Sequence, residues 1–158
     1  MTFKVLADYF EKLESTSSRL ALIDILCDLF KKVKADEVRM VSYLIQGRVA
    51  PFYEATEIGM AEKGVAASIA RAYGVEREQV LKEYGKLGDL GRVASKLASH
   101  PERSRASRGR VEGSLSVKEV FKTLREIAEM SGEGTVEKKI SSLAGLLNKV
   151  DGVGAKHL

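Results

Sequence analysis

The chain has 158 residues, of which 44% are hydrophobic, enough to bury the core of one domain or of two small lobes. Charged residues make up 30% and the formal net charge is +4, a balance that nucleic-acid-binding, ribosomal and membrane-surface proteins share. The single cysteine, Cys27, excludes an intrachain disulfide and a cysteine-based metal site. No apolar run approaches the roughly 20 residues that cross a membrane, and there is no signal-peptide pattern, so we expect a cytoplasmic protein.

Apolar residues recur at three- and four-residue spacing through most of the first hundred positions, which is the periodicity of amphipathic helices. The cluster of hydroxyl residues at 15–18 offers N-caps for a second helix, and Asp36 can cap a third. The pattern predicts helices over about residues 3–13, 22–33, 38–45, 65–73 and 75–86, and then a short helix carrying Val93 and Leu97.

The second half of the chain follows a segment of different composition. From residue 98 to residue 114 apolar side chains nearly vanish, and four arginines face only two glutamates. This composition indicates a flexible basic loop, which either follows DNA phosphates or is an ordinary solvated linker. The sequence therefore predicts an all-α protein of two helical lobes, residues 1–97 and 115–158, joined by the loop at 98–114.

The predicted second lobe begins with a strong local signal. Ser116 and Glu119 have the spacing of a capping box at the start of a helix. Thr135 can cap the helix that follows, whose expected buried residues are Val136, Ile140, Leu143 and Leu147.

Two glycine-containing turns are the candidate binding sites. Each stands just before a predicted helix, where unpaired backbone N–H groups and a partial positive charge favour a phosphate, and glycine allows close approach. Asp89 and Glu133 would repel a phosphate unless they cap the helices, and the alternative is that both turns are ordinary interhelical loops. The candidate residues, flanking cations included, are Lys86, Gly88, Asp89, Gly91 and Arg92 at the first turn, and Ser131, Gly132, Gly134, Thr135, Lys138 and Lys139 at the second.

Catalytic or metal-binding groupings are absent from the sequence pattern. His100 and His157 stand alone, without the Ser/His/Asp or metal-ligand spacing that catalysis or metal binding needs. The run from Lys149 to Gly152 has the form K-x-D-G, the pattern of the adenylated lysine in ligases, but it lacks the surrounding residues of that motif. We therefore expect it to be a chance match.

Several motifs, in order along nearly the whole chain, resemble the N-terminal DNA-binding domain of archaeal-type ATP-dependent DNA ligases. The first group is YLIQGRVAP from Tyr43, EIGMAEK from Glu57 and GDLGRVA from Gly88. The second group is LSVKEVF from Leu115, SGEGT from Ser131, KKI from Lys138 and LAGLL from Leu143.

The resemblance implies an all-helical domain that holds nicked double-stranded DNA through its minor-groove backbone, using the two turns named above. It implies no cofactor and no catalytic residue in this segment, and ATP and Mg²⁺ for the parent ligase. We expect a monomer whose parent can bind a sliding clamp, but residues 99–114 contain neither the glutamine nor the aromatics of a clamp-binding box. The family's helical domain is expected to continue beyond Leu158.

Three alternatives stay open from the sequence. Residues 150–154 also resemble a helix-hairpin-helix turn, which would add a phosphate contact without changing the substrate. A helix-turn-helix regulator is a second alternative, although no helix shows an exposed set of base-reading residues. A helical protein-interaction scaffold is the third.

Overall fold

The computed structural model describes residues 1–99 and 115–158, and within these two ranges it contains nine α-helices and no strand. The predicted all-α class is confirmed. The helices are α1 (Phe3–Glu14), α2 (Arg19–Lys32), α3 (Val38–Ile45), α4 (Glu62–Tyr73), α5 (Arg77–Leu87), α6 (Leu90–Ala98), α7 (Val117–Glu129), α8 (Thr135–Leu147) and α9 (Gly152–His157). Among the described helices, none has the length and apolar character needed to cross a membrane.

Side-chain caps fix several helix starts. Ser18 caps α2 by accepting from the amide of Ala21 at 3.4 Å, and Ser116 and Glu119 form the predicted capping box of α7. The predicted cap of α3 by Asp36 is wrong. Asp36 pairs with Lys118 on α7, and the N-cap position of α3 belongs to the buried Glu37.

Residues from both described parts of the chain form one hydrophobic core. Phe3 and Leu6 on α1, Ile69 on α4 and Ile127 on α7 are all buried in it. An isolated antiparallel β-bridge joins the two parts. The amide of Phe3 donates to the carbonyl of Leu115 at 2.7 Å, and the amide of Val117 donates to the carbonyl of Met1 at 3.1 Å. The boundaries of the two predicted lobes stay a prediction.

Helix α9 packs against the rest of the described structure. It contacts α6 and α1 extensively, and its last turn places His157 edge-on to Phe10, with ring centroids 5.3 Å apart. Lys156 forms ion pairs with Glu11 and Glu14 on α1. These contacts hold α6, and with it the first glycine turn, against the rest of the molecule.

Most of the predicted basic loop lies outside the described residues. Helix α6 continues through Ala98, and Ser99 follows as its C-cap. The expectations for residues 100–114, including the absence of a clamp-binding box, therefore stay predictions.

Candidate nucleic-acid interface

The first glycine turn connects α5 to α6 through two residues, Gly88 and Asp89. Gly88 ends α5 in the left-handed conformation, with φ of 69°, and Asp89 is the N-cap of α6. The Asp89 carboxylate accepts a hydrogen bond from the amide of Arg92 at 2.7 Å. This confirms that Asp89 caps the helix, so part of its negative charge is engaged with the helix start.

The two glycines of this turn meet different constraints. Gly88 has a positive φ and open space where a Cβ would be. Its left-handed backbone conformation, and not close packing, is therefore the reason for glycine at this position. A Cβ on Gly91 would overlap the backbone carbonyl oxygen of Lys156 in α9. Glycine is therefore required at position 91 by packing between α6 and α9, a cause that the sequence pattern did not indicate.

Three cations lie on the two helices that flank the first turn, and they differ in whether a carboxylate pairs with them. Lys86 and Lys96 both bind Glu83, at 2.7 and 2.6 Å, and these hydrogen bonds lower the pKa of Glu83 to about 2. The Arg92 side chain is exposed and forms no ion pair or hydrogen bond with any described residue. Sequence reasoning missed Lys96, because its proximity to the turn depends on the packing of α6 beside α5.

The second glycine turn separates α7 from α8. Gly132 and Gly134 have φ of 93° and 73°, and neither has an atom within 4 Å of the position of a Cβ. The predicted cap by Thr135 is wrong. Gly134 occupies the N-cap of α8, Thr135 is its first helical residue, and the Thr135 hydroxyl donates to the carbonyl of Gly132.

This arrangement leaves the start of α8 open. Among the described residues no side chain makes a capping hydrogen bond to it, and Ser131 and Gly134 are exposed. Amides in the first turn of a helix have no intrahelical partner and attract anions. The second turn therefore leaves more amides free than the first, where Asp89 already occupies one. Glu133 does not cap α8, so its exposed negative charge opposes an anion at this turn.

The two lysines of α8 have separate surroundings. Lys138 is exposed and makes no ion pair or hydrogen bond in the described part of the chain. The Lys139 ammonium, by contrast, donates to the backbone carbonyl of Ile58 at 2.7 Å and is partly buried. Lys138 is thus available to a ligand, whereas Lys139 holds the segment before α4.

Val136 departs from the expected burial of α8. Ile140, Leu143 and Leu147 are buried as predicted, but Val136 is 70% exposed. Its position in the first turn of the helix, before α8 meets the core, explains the difference. An apolar side chain therefore lies on the surface in the first turn of α8.

A single segment of the chain lies near the starts of α6 and α8. Ile58, whose carbonyl binds Lys139, and Met60 line an apolar hollow that also contains Leu90 and Gly91 at the start of α6. Within the two described ranges the turns share no hydrogen bond or ion pair. Their relative placement depends on this segment and on the packing of α4 against α8, which Arg71 reinforces through Glu137 and Ser141.

One cluster in the described residues has the composition of a metal site. Glu11, Glu14 and His157 bring ligand atoms within 4.8 Å of one another. The Lys156 ammonium already binds both carboxylates, and it lowers the pKa of Glu11 chiefly through its hydrogen bond. This group does not fit Mg²⁺, which prefers oxygen ligands and retains several waters. One of the three ligands is an imidazole nitrogen, and an ammonium already occupies both carboxylates.

The K-x-D-G run forms an interhelical turn. Asp151 caps α9 by accepting from the amide of Gly154 at 2.9 Å, and a Cβ on Gly152 would lie 2.5 Å from the Ser99 hydroxyl. Lys149 is exposed. The aspartate and both glycines of residues 150–154 are therefore used in capping and packing α9, and the helix-hairpin-helix alternative stays a prediction.

Comparison with known proteins places these features in a family. The family model described as "DNA ligase N terminus" matches residues 2–158. The chain is 42% identical over 158 residues to a "Probable DNA ligase" of Dictyoglomus turgidum and 40% identical over 166 residues to a "DNA ligase" of Sulfolobus acidocaldarius. Both alignments include the whole chain.

The similarity is confined to one part of each relative. The chain spans 25% of the Dictyoglomus protein and 27% of the Sulfolobus protein, about a quarter of the length of the curated relatives it matches. "DNA ligase 1" of Methanosarcina acetivorans matches in the same way, with 39% identity over 156 residues and 25% of its length. The chain therefore belongs to the family of DNA ligase N-terminal regions.

Proposed function

We propose that this chain is the DNA-binding domain of an ATP-dependent DNA ligase and that it holds nicked duplex DNA by its phosphate backbone in the minor groove. The observation that carries the proposal is a repeated arrangement. Each of two helices begins at a glycine-containing turn, and each presents one exposed cation, Arg92 or Lys138, that no described residue pairs.

The chemistry of the two turns supports backbone binding. A helix N-terminus carries the equivalent of roughly half a positive charge and unpaired N–H donors, and both suit a phosphate oxygen. Gly132 and Gly134 leave open space above the start of α8. Contacts of this kind position a protein on DNA without reading bases, as an enzyme that seals nicks in any sequence requires.

The catalytic chemistry belongs to the parent protein. ATP and Mg²⁺ would supply adenylation and nick sealing there, and we assign no residue of this chain to those steps. We further propose that the domain acts as a monomer in the cytoplasm, and that any binding of a sliding clamp uses other parts of the parent. The relatives support this separation of DNA binding from catalysis, because the chain matches only 25% of the length of the Dictyoglomus ligase.

Charge reversal at the two turns tests the proposal. The variant Arg92→Glu/Lys138→Glu is compared with Lys31→Glu/Lys34→Glu, which changes the net charge equally at exposed positions at and just beyond the end of α2. We expect the first variant to weaken binding to nicked duplex by at least about tenfold and the control to weaken it far less. The slope of log K against log salt should also become shallower by about 0.9 for each phosphate that the variant no longer binds.

Equal effects of the two charge variants would contradict the site assignment, because they would mean that only the net charge matters. Lys139 is left unchanged in this experiment. Its bond to the carbonyl of Ile58 gives it a structural role that would confuse the result.

A further inference from the structure

A tight turn outside the two glycine turns carries two exposed aromatic residues. The amide of Glu54 donates to the carbonyl of Pro51 at 3.1 Å, which closes a four-residue turn with Phe52 and Tyr53 at its centre. Their exposures are 76% and 89%. Central turn positions favour glycine, proline, asparagine, aspartate and serine, so neither the turn nor the core accounts for two aromatic rings here.

The aromatic turn is held in a fixed conformation by Arg48. Its guanidinium donates to the backbone carbonyls of Ala50, at 3.2 Å, and Pro51, at 3.4 Å. The same group lies 4.2 Å from the centre of the Phe52 ring, a cation–π contact. Ala50 itself is fully buried, which anchors one end of the turn. The rings are thus presented to solvent by a rigid and positively charged support.

The segment that carries the aromatic turn contacts the two helices that flank the second glycine turn. Glu54 is 3.9 Å from Arg125, one helical turn before the end of α7, after which the second glycine turn begins. Further along the same segment, Ile58 accepts the hydrogen bond from Lys139 in the first turns of α8. The segment that carries the aromatic rings is therefore attached to both helices that flank the second glycine turn.

We propose that Phe52 and Tyr53 contact duplex DNA beside the phosphates held at the second glycine turn, by packing against the sugars and bases that a nick exposes in the minor groove. Aromatic and apolar side chains insert at such base steps without regard to sequence, since every base has a π face. A nicked step opens more easily than a continuous one, because one backbone is interrupted. This inference rests on the proposed function and extends its contact surface.

Truncation of both rings is the direct test. Phe52→Ala/Tyr53→Ala is compared with Leu20→Ala/Ile23→Ala, which removes two exposed apolar side chains, 75% and 49% exposed, from α2. We expect the aromatic variant to bind nicked duplex about tenfold more weakly, equivalent to about 1.4 kcal/mol. The control should bind as the unchanged chain does, and both should keep its helical circular dichroism.

A fluorescent reporter gives a second measurement. The chain contains no tryptophan, so Tyr53→Trp introduces a single indole at the tip of the turn. We expect its emission to be quenched when nicked duplex is added, to a greater extent than with intact duplex. Unchanged emission at saturating DNA would overturn the inference.

The charge variant at the glycine turns separates the two proposals. If Arg92→Glu/Lys138→Glu weakens binding and Phe52→Ala/Tyr53→Ala does not, the aromatic contact is refuted and the proposed function stands. If the unchanged, folded chain does not bind duplex DNA at low salt, both proposals fail.

Discussion

Gly91 at the start of α6 lies directly against the backbone carbonyl of Lys156 in α9, with no room for a Cβ between them. On the other side of this contact, Gly152 of α9 faces the Ser95 carbonyl and the Ser99 hydroxyl of α6. The two helices thus approach each other through one glycine on each. This packing sets the position from which the first glycine turn is presented.

Substitution of Gly91 by alanine should destabilise the fold, because the added methyl group meets backbone rather than a movable side chain. Overpacking of this kind costs about 1–3 kcal/mol. Urea unfolding followed by circular dichroism measures the decrease in stability. Gly85→Ala on the exposed side of α5, where no atom lies within 4 Å, is the control and should gain up to about 1 kcal/mol in helix propensity.

Equal stability of the Gly91→Ala and Gly85→Ala variants would show that α9 moves away from α6 without cost. The close packing of these two helices would then not be what fixes the first turn.

Neutralisation of Glu83 should strengthen DNA binding. Glu83 binds both Lys86 and Lys96, so Glu83→Gln removes one negative charge and releases two cations near the first turn. We expect affinity for duplex to rise by roughly threefold or more at low salt, with a steeper salt dependence, because additional cations become available to phosphates. An affinity equal to or below that of the unchanged chain would mean that these lysines do not face the DNA.

The pH dependence of this network follows from the lowered pKa of Glu83, about 2 against an ordinary value of 4.5. A carboxylate whose pKa is depressed on folding stabilises the native state above its unfolded pKa, and the stabilisation disappears as the pH falls toward the folded value. Between about pH 5 and 8 Glu83 therefore stays ionised. The affinity difference between the Glu83→Gln variant and the unchanged chain should be constant over that range, and a difference that changes there would contradict the assignment.

The contact between α1 and α2 depends on a buried tyrosine. The Tyr9 hydroxyl donates to Asp28 and accepts from Lys32. The hydrogen bonds of Lys32 with Tyr9 and then with Asp28 raise the pKa of Lys32 to about 12. Tyr9→Phe should lower the free energy of unfolding by about 1 kcal/mol, the usual net value of such a bond. Tyr53→Phe is the matched control on an exposed ring, and a decrease of equal size in both variants would argue against a specific role for Tyr9.

The fold class was predictable from sequence because helical periodicity and caps are local properties. The hydroxyl of Ser18 and the Ser116–Glu119 pair act where the pattern placed them. Asp36 and Thr135 were misassigned because residue type alone does not distinguish a capping residue from its neighbours. The same sequence position can supply a cap, an ion pair or a first helical residue, and packing decides among them.

The candidate site was predictable only as far as its two turns. The pairing of Lys96 with Glu83 and the bond from Lys139 to Ile58 join residues 13 and 81 positions apart, so spacing carried no signal for them. The sequence shows that Phe52 and Tyr53 are adjacent, but it does not show that both side chains lie outside the core. Two adjacent aromatics after a proline are a signal that could have identified the turn.

The most direct test of the proposed function is the affinity of this chain for nicked, intact and single-stranded DNA, measured by fluorescence anisotropy between about 50 and 200 mM salt. We predict binding to duplexes of unrelated sequence with similar affinity, and a log K that falls linearly with log salt by about 0.9 per phosphate contacted. The proposed binding to the phosphate backbone would be contradicted if the folded chain did not bind duplex DNA at low salt, or if its affinity were independent of salt.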